Sequence, residues 1–140
     1  MISLEVCSAG EIEFTGTHGT TFGGSPLACA MGYHVLTRLS SPVFRTQMED
    51  VSSYLGERLL KLPEWYPEIV QNIRGRGFIR GVGFKERGGP GRIVELARER
   101  GVFVLSAGSD AVRLVPSLTV GKEEVDLAVD VLESCLHRIT

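Results

Sequence analysis

The chain is short of cysteine and lysine, has no long apolar run, and carries no excess of positive charge. Each shortage removes a class of protein. Its three cysteines, Cys7, Cys29 and Cys135, are odd in number and far apart, which matches neither a disulfide framework nor the closely spaced ligand pairs of a zinc site. A reducing, intracellular setting is expected. No stretch approaches membrane-spanning length, and Met1 to Ala9 has neither the basic start nor the apolar run of a secretory signal. The formal net charge is -2 and the pI is near 5.9, so neither nucleic acid nor an anionic membrane is expected as a partner. The 17 glycines and six prolines follow no period, which sets aside collagen-like and low-complexity chains.

What is present is enough apolar material for one core in 140 residues, and one domain is the default. Short strands are read at Ile2 to Val6 and Glu11 to Phe14. Ser25 followed by Pro26 opens a helix whose apolar positions are Leu27, Ala28, Ala30, Met31, Val35 and Leu39. A second helix, capped by Ser41 and opened by Pro42, carries Phe44, Met48, Val51, Leu55, Leu59 and Leu62 at steps of four, three, four, four and three; that is one helical stripe, and Pro63 is expected to end it. Ile69 to Arg74 and Phe78 to Phe84 read as a hairpin around Gly75-Arg76-Gly77, with Gly88 to Gly91 as the next loop. A short helix carrying Ile93, Val94, Leu96 and Ala97 and stopping at Gly101, a strand starting in Val102 to Leu105, a turn over Ser106 to Asp110 and a strand through Val112, Arg113 and Leu114 up to Pro116 follow. The last helix starts near Lys122 with Val125, Ala128, Val129, Leu132, Leu136 and Ile139 on its core side. Without a strict parallel strand–helix–strand repeat, the order favours α+β.

Three stretches bear on chemistry. His18-Gly19-Thr20-Thr21-Phe22-Gly23-Gly24 lies directly before a helix start, where free N–H groups and the helix dipole favour an anion. There the hydroxyls of Thr20 and Thr21 can donate to phosphate oxygens. The same residues also suit a polar loop ending in a Ser25 cap. The Gly-Lys-Ser/Thr ending of a nucleoside-triphosphate loop is missing. Arg74-Gly75-Arg76-Gly77-Phe78-Ile79-Arg80-Gly81 fails as a dinucleotide fingerprint because Arg80 occupies the last glycine position. Its three arginines suit an acidic partner or simply a solvated face. Arg113 stands among apolar residues in Ala111 to Pro116. It is either an exposed strand arginine on the polar side of an alternating pattern or a fork for a carboxylate. Ser25 is not in a nucleophile elbow, and His18, His34 and His137 have no metal-ligand spacing. No catalytic residue and no metal site is assigned.

Taken in order, HGTTFGGSPLAC, IRGRGFIRGVGF, ELARERGVFVLSAG and AVRLVPSLTV resemble the C-terminal part of the class III pyridoxal-phosphate aminotransferases, and most nearly their acetylornithine branch of fungal, mitochondrial type. The resemblance covers about Gly16 to Thr140. It implies the C-terminal small domain of a fold-type I enzyme: a small, mainly antiparallel sheet packed with helices and preceded by a long linking helix. Residues 1–24 then form an N-terminal segment with the cofactor-phosphate loop, and 25–140 the linking helix and small domain. Thr20 and Thr21 would bind the phosphate of pyridoxal 5'-phosphate held by a neighbouring subunit of a homodimer, and Arg113 would meet a substrate carboxylate or a gating glutamate.

The activity so implied is transfer of an amino group between N-acetylornithine and 2-oxoglutarate in arginine biosynthesis, in the mitochondrial matrix if the fungal resemblance holds and otherwise in the cytoplasm. An ornithine or 4-aminobutyrate enzyme, or a non-catalytic small-domain module, is the alternative. Relatives carry a cofactor-binding lysine and a pyridine-pairing acid upstream of the threonine loop. Here Lys61, Lys85 and Lys122 all lie downstream, so the 140 residues alone are expected to be inactive. Met1 to Thr15 does not resemble the family segment that enters the loop, and Ser25 replaces an asparagine usual before Pro26, a mild exchange of one good cap for another.

Overall fold

In a computed structural model of the chain, residues 19–85 and 89–139 are described. The chain forms two compact units, Met1–Ser41 and Pro42–Thr140. The strands expected at Ile2 to Val6 and Glu11 to Phe14 lie outside the described residues.

The described part of the first unit is a loop and one helix, α1 (Pro26–Ser40). The Ser25 hydroxyl accepts the Ala28 N–H at 3.3 Å, and Pro26 occupies the first turn, where its missing N–H costs nothing. The helix stops because Ser41 is extended (φ -63, ψ 124), as a residue before proline prefers. The Ser41 N–H donates to the Arg38 carbonyl. No residue of α1 is buried, and Leu27, Met31, Tyr33, Val35 and Leu36 are all at least half exposed.

The second unit runs α2 (Pro42–Leu60), α3 (Leu62–Trp65), β1 (Val70–Arg76), β2 (Ile79–Phe84), α4 (Gly89–Glu99), β3 (Leu105–Ala107), β4 (Ala111–Leu114) and α5 (Lys122–Ile139). The strands form one sheet in the order β1-β2-β4-β3, antiparallel at every pairing. This is the α+β arrangement expected, a small antiparallel sheet packed with helices and preceded by a long helix. The α2 stripe is the core stripe: Val51, Leu55, Leu59 and Leu62 are buried, with Phe44 and Met48 half-buried. The four buried residues and Met48 pack with Val82 and Phe84 of β2, Val112 and Leu114 of β4, Ile93 and Leu96 of α4, and Val125, Val129, Leu132 and Leu136 of α5. Each such side chain contributes about 1.5–3 kcal/mol by leaving water. Among the described residues no polar or charged side chain is buried. Polar clasps lie at the rim instead. Arg58 of α2 pairs with Asp126, Asp130 and Glu133 of α5, the Tyr54 hydroxyl donates to Asp126 at 2.7 Å, and Lys122 meets Asp50 at 2.8 Å. The hydrogen bond to Asp130, above all, holds the Arg58 guanidinium above the usual arginine range.

Four boundaries differ from expectation. Pro63 does not end the second helix; α2 stops at Leu60, and Pro63 sits in the first turn of α3, a position proline tolerates, while Leu62 anchors that turn in the core. Gly89 to Gly91, read as loop, begin α4 because Pro90 at a helix start is pre-set for it. The hairpin is tighter than read: Arg76 still pairs with Ile79, leaving only Gly77 and Phe78 as the turn. Gly75 there takes φ +95, and a Cβ on it would lie 2.1 Å from the Ile79 carbonyl oxygen. Finally, the strand read at Val102 to Leu105 starts only at Leu105. The Val102 N–H closes the end of α4 on the Ala97 carbonyl, Val104 enters the core, and the small residues Ser106 and Ala107 pair with β4 around a turn with Gly108 at φ +68.

Candidate functional site

The threonine loop is built by backbone turns. The Phe22 carbonyl accepts the Ser25 N–H at 3.4 Å, Gly24 takes φ +77, and a Cβ on Gly23 would fall 1.9 Å from the Thr20 methyl. The second glycine supplies a left-handed turn that other residues resist, and the first makes room for Thr20. Both Thr20 and Thr21 are exposed, and neither hydroxyl has a hydrogen-bond partner among the described residues. At the helix mouth Ser25 already takes the Ala28 N–H, and Pro26 has none to offer. Of the first three helical residues, Leu27 alone keeps an amide for a ligand. Two uncommitted hydroxyls and an amide beside the positive end of a helix dipole form a donor set that fits a phosphate. Because the loop is exposed, a bound phosphate would still need cover from elsewhere. His18 lies outside the described residues.

Arg113 belongs to the second unit. Its neighbours Val112 and Leu114 are buried while Arg113 is exposed. It therefore stands on the face of the sheet opposite the core, on the polar side of the alternation. Its cross-strand neighbours are Gly81 on β2 and Leu105 on β3. Among the described residues it makes no hydrogen bond or ion pair. The three arginines of the glycine-rich hairpin do not act together. Arg74 donates to Asn72 and Asp110, each at 2.8 Å, whereas Arg80 donates to the carbonyls of Gly77, Gly75 and Ser52 at 2.9, 3.2 and 3.3 Å. Arg76 stays exposed. Sequence reasoning missed Asn72 and Asp110, and no spacing could have found the latter, since it pairs with a residue 36 positions away.

The remaining candidates bring no chemistry. His34 and His137 are exposed, and the described residues hold no cluster able to bind a metal. A cavity of about 130 Å³ beside Phe103, Val115 and Val120 is apolar except for Glu124, whose carboxylate accepts the Gly121 N–H at 2.8 Å.

A family model described as aminotransferase class-III matches residues 5–136. The chain belongs to this family. Among curated class III relatives it is 39% identical over 124 residues to the mitochondrial acetylornithine aminotransferase of Candida glabrata, and 36% identical over 124 residues to that of Saccharomyces cerevisiae. Each match covers 89% of this chain and 29% of the relative, so the chain spans less than a third of the length of those class III enzymes. Solved aminotransferases share the fold. N-acetylornithine aminotransferase from Stenotrophomonas maltophilia superposes with a TM-score of 0.73 at 28% identity, covering 81% of this chain and 32% of that one. A PLP-bound amine transaminase from an uncultivated Pseudomonas species gives 0.77 at 30% identity, covering 90% and 30%. Family membership and that PLP-bound neighbour imply pyridoxal phosphate as the cofactor of the class.

Proposed function

We propose that this chain forms the C-terminal part of a pyridoxal-phosphate aminotransferase whose complete form exchanges an amino group between N-acetylornithine and 2-oxoglutarate, in arginine biosynthesis and in the mitochondrial matrix. The names and compartment of the fungal relatives support the substrate and the location. When bound, pyridoxal phosphate supplies the carbonyl that accepts the amino group and the conjugated ring that stabilises charge during the transfer. This chain's contribution is positioning. Residues 1–24 bring the phosphate loop, in which Thr20 and Thr21 donate their hydroxyls to phosphate oxygens held by the neighbouring subunit of a homodimer. Residues 25–140 form the linking helix and small domain, in which Arg113 offers its planar fork to a substrate carboxylate or a gating glutamate. The 140 residues include no lysine before the threonine loop, so alone they bind and orient but do not turn over.

The observation that carries this reading is the pair of uncommitted hydroxyls at the mouth of α1. Titration of the chain with pyridoxal phosphate and with inorganic phosphate, repeated on Thr21→Val, tests it. Binding should weaken about tenfold in the variant, as the loss of a hydrogen bond to a charged group of roughly 1.5 kcal/mol requires. Equal binding by both proteins defeats the phosphate role and favours a small-domain module with only a helix cap.

A further inference from the structure

We propose that Arg74 is a positioning residue for Arg113: by holding Asp110, it keeps that carboxylate off the Arg113 guanidinium and leaves the open slot over Gly81 to a carboxylate-bearing ligand. This inference rests on the reading of Arg113 as carboxylate-facing and adds the device that keeps it so.

The register places Arg74, Gly81 and Arg113 side by side across β1, β2 and β4. With strands about 4.8 Å apart, the two arginine backbones are separated by roughly 10 Å, with a residue lacking any side chain between them. Arg74 does not lie in that gap. Its guanidinium leans over the next glycine along β2, where a Cβ on Gly83 would stand 3.0 Å from Arg74 Nη2 and 2.5 Å from Asn72 Oδ1. From there Nη2 reaches Asp110 Oδ2 at 2.8 Å, while Nε is anchored by Asn72 Oδ1 at 2.8 Å. The two β2 glycines thus have different surroundings. Gly83 lies beneath the Asn72–Arg74–Asp110 chain. At Gly81 a Cβ would meet nothing closer than 3.8 Å, so that slot is open.

Asp110 is the acid best placed to compete for Arg113. It lies in the turn just before β4, three residues ahead of Arg113, about 10 Å away along the chain at a strand rise of 3.3 Å per residue, a gap that an arginine and an aspartate side chain can span together. In this structure it is engaged by Arg74 instead, and Arg113 has no protein partner among the described residues. The Arg74–Asp110 pair is nearly half exposed on both sides. Its loss should therefore change carboxylate affinity by only about two- to fivefold, the size of an exposed ion pair.

The test uses the 140-residue chain with labelled arginine side chains, 2-oxoglutarate as the probe, and the Arg113 Nε–H resonance as the readout. Wild type should respond, and Arg113→Ala should abolish the response. Arg74→Gln should weaken binding two- to fivefold and, without ligand, slow solvent exchange of the Arg113 Nε–H as Asp110 swings onto it. Adding Asp110→Asn to Arg74→Gln should restore both affinity and exchange, a rescue that a merely structural role would not give. Should Arg74→Gln fail to fold, Asp110→Asn alone decides, and it must bind no more weakly than wild type. The inference is overturned if Arg74→Gln binds like wild type, if the double variant stays as weak as the single, or if Asp110→Asn alone weakens binding. A wild-type chain with no Arg113-dependent response overturns the carboxylate reading of Arg113 itself, and this inference with it.

Discussion

Replacing Gly56 with alanine sets two local effects of opposite sign against each other. Gly56 lies buried inside α2, where alanine is intrinsically better than glycine by about 1 kcal/mol. Propensity alone therefore predicts a more stable protein. The added Cβ, however, would sit 2.8 Å from Nη2 and 3.3 Å from Cζ of Arg80. An arginine tip would ordinarily move aside at little cost, but this one is held by the carbonyls of Gly77, Gly75 and Ser52. Displacing it breaks first the 3.3 Å bond to Ser52, on the side nearest Gly56. A hydrogen bond from a charged donor contributes about 1.5–3 kcal/mol, so the loss exceeds the propensity gain. Gly56→Ala should destabilise by about 1 kcal/mol, lowering the melting temperature by roughly 4–8 °C in a unit of this size. The same change in an Arg80→Ala background has nothing to strike and should stabilise by about 1 kcal/mol. Urea unfolding of the four proteins, followed by far-ultraviolet circular dichroism, reads both signs. If Gly56→Ala stabilises the wild type as much as it does Arg80→Ala, the guanidinium is not fixed against α2.

Two further outcomes follow from the surfaces of the units. Arg58→Ala removes the cation that pairs with Asp126, Asp130 and Glu133; it should cost about 1–3 kcal/mol through lost charge-assisted bonds and the repulsion left behind, seen as a lower urea midpoint that Asp130→Asn partly restores. Exposed apolar residues along α1, Leu27, Met31 and Leu36 among them, should drive self-association, so sedimentation velocity should show concentration-dependent species that Leu36→Glu reduces. A monomer at every concentration would count against it.

The α2 and α5 stripes were legible because burial there follows a single helical period, and Val51, Leu55, Leu59, Val129 and Leu136 are buried where that period puts them. Cys135 escaped because sequence gives a lone cysteine no claim to the core, yet it is fully buried. The glycine-rich boundaries misled for one shared reason. Glycine next to proline or arginine signals a turn locally, whereas at Gly75 and Gly89 the ends are fixed by strand pairing and a helix start. The threonine loop was readable because its donors are contiguous. The surroundings of Arg113 were not, since Asn72, Arg74, Gly81 and Asp110 reach one face only through the register of three strands.

Strand β2 turns Val82 and Phe84 to the core and presents Gly81 and Gly83 on the other side. Its two faces can therefore vary independently. An exchange at Val82 or Phe84 alters packing beneath the sheet while what lies above still meets bare peptide and the arginines of the flanking strands. A side chain placed at Gly83 would do the reverse, leaving the interior as it was and closing the ground on which Arg74 rests.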